Sequence, residues 1–204
     1  GPLAAILQDV ITPRAAWIAG RPDQVVAAEA AYRVDPGPPM VRMVVDRATF
    51  RPAAGGAERL GPVDTGELNR LYDLGPAAWL PSSTIAEGVY YGIREGGRIV
   101  AAAGTHVIGD EVGLAVVGNV MTRADRRGRG HATATTGAVT AELLGRVPVV
   151  VLNVRSDNPP ALAVYRSLGF REHARFEERL ARRRGSVWDS ISGSFRRFAS
   201  RRTE

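Results

Sequence analysis

The densest concentration of chemistry in the chain is Arg126-Arg127-Gly128-Arg129-Gly130-His131-Ala132. Its two glycines let the backbone turn tightly and aim successive N–H groups at one point. The residues that follow, Thr133 to Leu144, are rich in Ala, Val and Leu and predict a helix whose positive end faces the same point. Three arginines surround it, and guanidinium forks match paired phosphate oxygens. An anion with the size and charge of a pyrophosphate is the natural occupant. Two other phosphate motifs are excluded. No Lys-Ser/Thr follows the glycines, and Thr133 stands where the last glycine of G-x-G-x-x-G would be.

The elements that must position this turn are legible around it. Val112 to Thr122 predicts the strand feeding the turn, and Val149 to Val154 is apolar on both faces, as a central parallel strand is. A short helix then runs from Asn158, a capping residue type, to Gly169. Residues Val120 to Phe170 therefore form one βαβα unit with the anion turn at its first strand-to-helix junction.

Arg127-x-x-Gly130-x-Ala132, placed between those strands, resembles the coenzyme A loop of the GNAT acyltransferase superfamily. Asn158-x-x-Ala161-x-x-x-Tyr165-x-x-x-Gly169-Phe170 resembles the superfamily's next motif, and the two stand in the right order and spacing. The resemblance covers residues 57 to 180. The phrasing Gly118-Asn119-Val120-Met121-Thr122 and Leu152-Asn153-Val154 is most similar to the branch that includes glycine N-acyltransferase-like proteins.

The resemblance implies an α/β (α+β) fold: a mixed, mostly antiparallel central sheet with a βαβα cofactor-binding core and helices on both faces. It also implies transfer of an acyl group, usually acetyl, from acetyl-CoA to an amine. Backbone groups of Val120, Met121 and Thr122 would meet the pantetheine arm as another strand would. The pyrophosphate falls to Arg127, Gly128, Arg129, Gly130, His131, Ala132 and Thr133. Asn153, Asn158 and Ala161 complete the cofactor side, although capping alone would explain an Asn at 158. The Tyr165 hydroxyl is implied near the thioester sulfur, as general acid to the departing thiolate.

The base that would take the amine's proton is harder to find. Many superfamily members place a glutamate on the strand before the loop, whereas this strand reads Ala115-Val-Val-Gly-Asn-Val. Asn119 suits orientation of a water or of the substrate carbonyl, and His106 and Glu111 are the remaining candidates for the base. Neutralising a lysine-type amine at pH 7 costs about 4.6 kcal/mol, against about 1.4 for an α-amine. An acceptor of modest pKa, such as an α-amino group, or deprotonation through water, is therefore expected. A non-catalytic acyl-CoA-binding regulatory module is the rival reading.

Composition narrows the field further. Cysteine is absent, which excludes disulfides, thiolate metal sites and a cysteine nucleophile. His106, His131 and His173 lack ligand spacing, so no metal is expected. The net charge is +6, and every one of the 27 basic residues is Arg, so the chain cannot acetylate lysines of its own. The arginines cluster at the loop and the C-terminal tail without interleaved aromatics, and no nucleic-acid partner is expected. No apolar run reaches the ~20 residues a bilayer needs and no signal peptide is visible, which makes a cytoplasmic protein with a small-molecule or peptide amine acceptor the default.

Three regions follow. Residues 1–56 read as a helical and extended appendage, a flap over core surface or a remnant of a second GNAT-like half, with helices at Leu3 to Ala19 and Pro22 to Ala31. Residues 57–180 form the acyltransferase domain, in which Asp64 and Glu67 predict a capping box and Trp79 is assigned to the core. Residues 181–204 carry Trp188, Ile191, Phe195 and Phe198 on one face of a basic amphipathic helix. It is expected to dock on its own domain, with a homodimer contact or an anionic membrane surface as alternatives.

Overall fold

A computed structural model of the chain describes residues 14–73 and 78–184. In chain order its strands are β1 (Ala15–Gly20), β2 (Tyr32–Val34), β3 (Pro39–Asp46), β4 (Glu58–Arg59), β5 (Tyr91–Glu95), β6 (Arg98–Gly109), β7 (Leu114–Thr122), β8 (Val149–Arg155) and β9 (Arg171–Arg183). The helices are α1 (Pro22–Ala27), α2 (Thr65–Tyr72), α3 (Ser82–Glu87), α4 (His131–Arg146) and α5 (Pro159–Ser167). They divide into two compact units, Val41–Ala174 and the segments on either side of it.

In the larger unit the strand order is β3-β8-β7-β6-β5-β4. The β4–β5, β5–β6 and β6–β7 pairs are antiparallel, whereas β7–β8 is parallel. Connection length decides which. Gly96 and Gly97, both with positive φ, close the β5–β6 hairpin, while β7 reaches β8 only by way of α4. The expected mixed, mostly antiparallel sheet with a βαβα core is thus the fold of the chain. Its core gathers Val41, Met43, Val117, Leu143, Leu152 and Phe170. β8 is buried at Val150, Val151, Leu152 and Val154, as the apolar stretch Val149 to Val154 predicts, while Asn153 within it is exposed.

In the smaller unit β9 pairs antiparallel with β1, Trp17 opposite Leu180, and with β2, Tyr32 opposite Arg183. Ile18, Val25, Ala28, Tyr32 and Ala181 form its core. Residues 15–19 are therefore strand, not the end of a helix: Trp17 is exposed and Ile18 buried, an alternation that pairing on β9 selects over the helical spacing of the apolar residues. Pro22 to Ala30 is helical as expected, its last three residues being 3-10. The amphipathic segment 186–198 and most of the first predicted helix lie outside the described residues.

Three further expectations change. The strand expected over Glu58 to Pro62 ends at Arg59, where Pro62 opens a 3-10 turn. Glu67 does not close a capping box: one carboxylate oxygen accepts from Ile99 N at 2.9 Å and the other from Arg94 at 2.5 Å. Asp64 instead accepts from Gly61 N at 2.8 Å. Arg94, also held by Glu58 and Asp64, draws these carboxylates to β5. Trp79 is 55% exposed, so it is not core.

Candidate active site

The site begins where two strands part. β7 and β8 are in register from Leu114 opposite Val149 to Val117 opposite Leu152, yet β7 continues to Thr122 and β8 to Arg155. Past Val117 the two strands leave each other, and the wedge between them is flanked by Val120, Met121 and Thr122 on one side and Asn153 on the other. An extended ligand with amide groups can add along such an edge as a strand does.

A bulge in β7 accompanies the parting. Ala102 faces Met121 and Gly104 faces Gly118, so Asn119 and Val120 together oppose Ala103 alone. Asn119 adopts φ 51°, in the left-handed region. Its carbonyl accepts from the Tyr72 hydroxyl at 2.9 Å, and its Nδ2 donates to the Tyr90 hydroxyl at 3.0 Å. Tyr90 in turn donates to the Thr105 carbonyl at 3.1 Å. Burial pushes the Tyr72 and Tyr90 hydroxyls up from their ordinary value, so both are protonated donors at neutral pH. His106, exposed on β6, lays its ring where a Gly118 side chain would stand, one residue before the bulge.

The Arg126–Ala132 loop follows β7. Gly128 and Gly130 have φ 75° and 79°, and around a side chain added at either there is open space. Gly130 is the N-cap of α4, and Ala134 N is bonded back to its carbonyl at 3.0 Å. The N–H groups of His131, Ala132 and Thr133 precede the first helical bond, which leaves them directed out of the helix end. Arg127 sends Nε back to the Thr122 carbonyl at 3.4 Å. Thr122 Oγ1 is buried without a hydrogen-bond partner among the described residues.

Glu95, at the end of β5, ties the loop together. Its carboxylate lies 3.0 Å from His131 Nε2, 2.7 Å from Arg126 Nε and 3.7 Å from Arg129. The Arg126 contact is an ion pair without hydrogen-bond alignment. Burial alone would raise the Glu95 pKa, but His131 and the two guanidiniums outweigh it and hold the carboxylate below its ordinary range. Asp125 is held at about 2, chiefly by its hydrogen bonds from Arg123.

The second motif lies on α5. Asn158 is the N-cap, its Oδ1 accepting from Ala161 N at 3.3 Å, so the capping role is realised. Asn153 Oδ1 accepts from Arg42 Nε at 3.0 Å. Tyr165 is buried, edge-on to Phe170 at 6.2 Å, and desolvation raises its hydroxyl to about 12. Val120 and Ala161 pack on the same core cluster as Tyr165. The structure thus places the bulge, the loop and the Tyr165 helix around one βαβα unit. Glu111, in the β6–β7 turn, is at the other end of β7 from the loop. Sequence reading did not single out Tyr72, Tyr90 or Glu95, because each acts through contacts distant along the chain.

The acetyltransferase (GNAT) family matches residues 64–170, just over half of the chain, and the chain belongs to that family. No curated protein matches it. Among solved structures, an acetyltransferase of the GNAT family from Novosphingobium aromaticivorans DSM 12444 is 28% identical, with a TM-score of 0.68 over 89% of this chain and 79% of that one. A GCN5-related N-acetyltransferase from Kribbella flavida is 20% identical, with a TM-score of 0.59 over 86% and 70%. A tandem GNAT protein from the clavulanic acid biosynthesis pathway, solved without AcCoA, is 16% identical, with a TM-score of 0.55 over 82% and 63%. The last two share the fold. Members of the family move acyl groups from acyl-CoA to an acceptor. The residues present suit that ligand: a strand edge beyond Val117, two left-handed glycines facing open space, and a helix N-terminus among arginines. Among the described residues no group of three or more His, Asp or Glu side chains could hold a metal, and no helix is long and apolar enough to cross a membrane.

Proposed function

We propose that the protein is an N-acetyltransferase acting on the amine of a small molecule or peptide. The observation that carries this is the β7–β8 wedge, which opens beside the Gly128–Gly130 loop and shares a core cluster with Tyr165. Acetyl-CoA would supply the thioester carbon to which the amine nitrogen bonds as the C–S bond breaks, giving the N-acetyl product and the CoA thiol.

The chain's own residues divide the work. Val120, Met121 and Thr122 offer backbone groups along the pantetheine arm, and Arg127 to Thr133 hold the pyrophosphate. Tyr165 donates a hydrogen bond to the departing sulfur. Burial raises its hydroxyl to about 12, so it stands protonated and able to donate at neutral pH. Tyr165 thus serves as general acid, its O–H proton moving toward the sulfur as negative charge grows there and the C–S bond breaks.

On the acceptor side β7 offers no carboxylate at the bulge, and Asn119 is engaged by two tyrosines. His106 beside Gly118, or a water, is the candidate to take the amine's proton. Such a weak base suits an α-amine, whose neutral form costs about 1.4 kcal/mol at pH 7, better than a lysine side chain at about 4.6. The sequence of β7 and β8 supports placing the chain near the glycine N-acyltransferase-like branch. An acceptor panel with acetyl-CoA tests the reading. Turnover with α-amines ahead of lysine ε-amines is expected. A strict ε-amine preference would overturn the acceptor assignment, and coenzyme A binding without any turnover would favour a regulatory module.

A further inference from the structure

Among the described residues, two non-glycine positions have left-handed backbones, Asp73 with φ 52° and Asn119 with φ 51°. Asn119 accepts a hydrogen bond, and Asp73 adjoins its donor. Tyr72, the last residue of α2, donates to the Asn119 carbonyl at 2.9 Å, and Asp73 directly follows it. Asn and Asp tolerate this backbone region better than other side-chain-bearing residues, but it is uncommon even for them and persists where the surroundings hold it. Asp73 is the left-handed cap that ends α2, whereas Asn119 lies inside a strand, so the backbone that the contact holds is that of Asn119.

A second constraint acts on the same residue. Asn119 Nδ2 donates to Tyr90, whose hydroxyl is anchored on the Thr105 carbonyl of β6. Tyr90 is itself fixed. It is fully buried, and a side chain at Gly104 would overlap its ring. Asn119 is therefore gripped by its carbonyl from α2 and by its side chain from the strand partner β6. Because the Asn119–Val120 peptide is trans, holding its carbonyl towards Tyr72 also turns the Val120 N–H away from α2.

We propose that Tyr72 and Tyr90 are positioning residues that lock Asn119 in the β7 bulge and so keep β7 parted from β8 beyond Val117. The proposal rests on the acyl-CoA reading of the wedge. Neither tyrosine touches the reacting atoms in this account; both act through Asn119. The grip also joins α2 to the strand edge that carries Val120 and Met121, so the shape of that edge depends on where α2 ends.

The test uses Y72F and Y90F, which keep the rings and remove one hydroxyl each, with Y91F as a control on a neighbouring tyrosine outside the network. Hydrogen–deuterium exchange is measured on the ligand-free protein, and acetyl-CoA affinity by calorimetry. Exchange over residues 118–122 is expected to rise about five- to tenfold in Y72F and Y90F, the worth of one hydrogen bond, and to stay at the wild-type rate in Y91F. Acetyl-CoA affinity should fall by a similar factor. Wild-type exchange over 118–122 in both variants, or an equal rise in Y91F, would overturn the proposal whatever the protein binds. Raised exchange in a protein whose wild type has no affinity for acetyl-CoA would uphold the lock and overturn the acyltransferase reading instead.

Discussion

Replacing Tyr165 by Phe removes one hydroxyl from a ring packed against Phe170 and leaves the ring in place. Among the described residues that hydroxyl has no hydrogen-bond partner, and its raised pKa of about 12 has desolvation as its cause. No partner is orphaned by the change, so Tm should move by no more than about 2 °C, less than 1 kcal/mol for a chain of this size. Catalysis should suffer far more. A hydrogen bond to a charged partner is worth about 1.5–3 kcal/mol, so losing one that strengthens as the thiolate forms lowers kcat by about 10- to 150-fold. The substrate thioester sulfur carries no such charge, so KM for acetyl-CoA should stay within about twofold, the pattern of an interaction made in the transition state. The assay is release of free CoA thiol at saturating acceptor, with calorimetry for ligand affinity. A variant with wild-type kcat, or one whose loss lies entirely in acetyl-CoA affinity, would refute the assignment.

The Tyr165 hydroxyl ionises near 10 when unfolded and near 12 when folded, so its contribution is full below pH 10 and is lost as pH rises to 12. Between pH 8 and 11 the wild type should therefore lose on the order of 1 kcal/mol more than Y165F in urea unfolding, and parallel pH profiles would contradict this. Gly130→Ala places a side chain at φ 79° in open space, so it should cost roughly 1–2 kcal/mol of stability from backbone strain while weakening CoA binding measurably in calorimetry. Gly104→Ala drives a methyl into the Tyr90 ring and should cost about 1–3 kcal/mol, whereas Gly145→Ala, on the exposed side of α4 with nothing near, should stabilise by about 0.5–1 kcal/mol in thermal melts.

What the sequence made visible were features fixed by neighbours in the chain. The Gly128–Gly130 loop needs two glycines, a preceding strand and a following helix, and these lie side by side. The apolar run of β8 announces burial on both faces, and Asn158 announces a helix start three residues before its partner Ala161. The features that stayed hidden depend on distant partners. Tyr72 and Asn119 are 47 residues apart, and Glu95 is 36 residues from His131. Glu67 satisfied the local capping pattern, yet Arg94 and the Ile99 N–H offered stronger partners and took it. In β1 the same competition decided the element itself, since a helical spacing of apolar residues gave way to pairing with β9. The parting of β7 from β8 has no local signature beyond Asn119, a residue type that tolerates the left-handed backbone without declaring it.

The wedge past Val117 and the loop at Gly128 to Gly130 are together expected to hold an acyl-CoA. Titrating the full chain with acetyl-CoA by isothermal calorimetry tests it most directly. Saturable one-to-one binding is expected, with Kd in the range of about 1 μM to 1 mM typical of enzyme substrates, weakened by added pyrophosphate competing for the loop. No heat of binding up to millimolar acetyl-CoA, or binding that pyrophosphate leaves untouched, would contradict it.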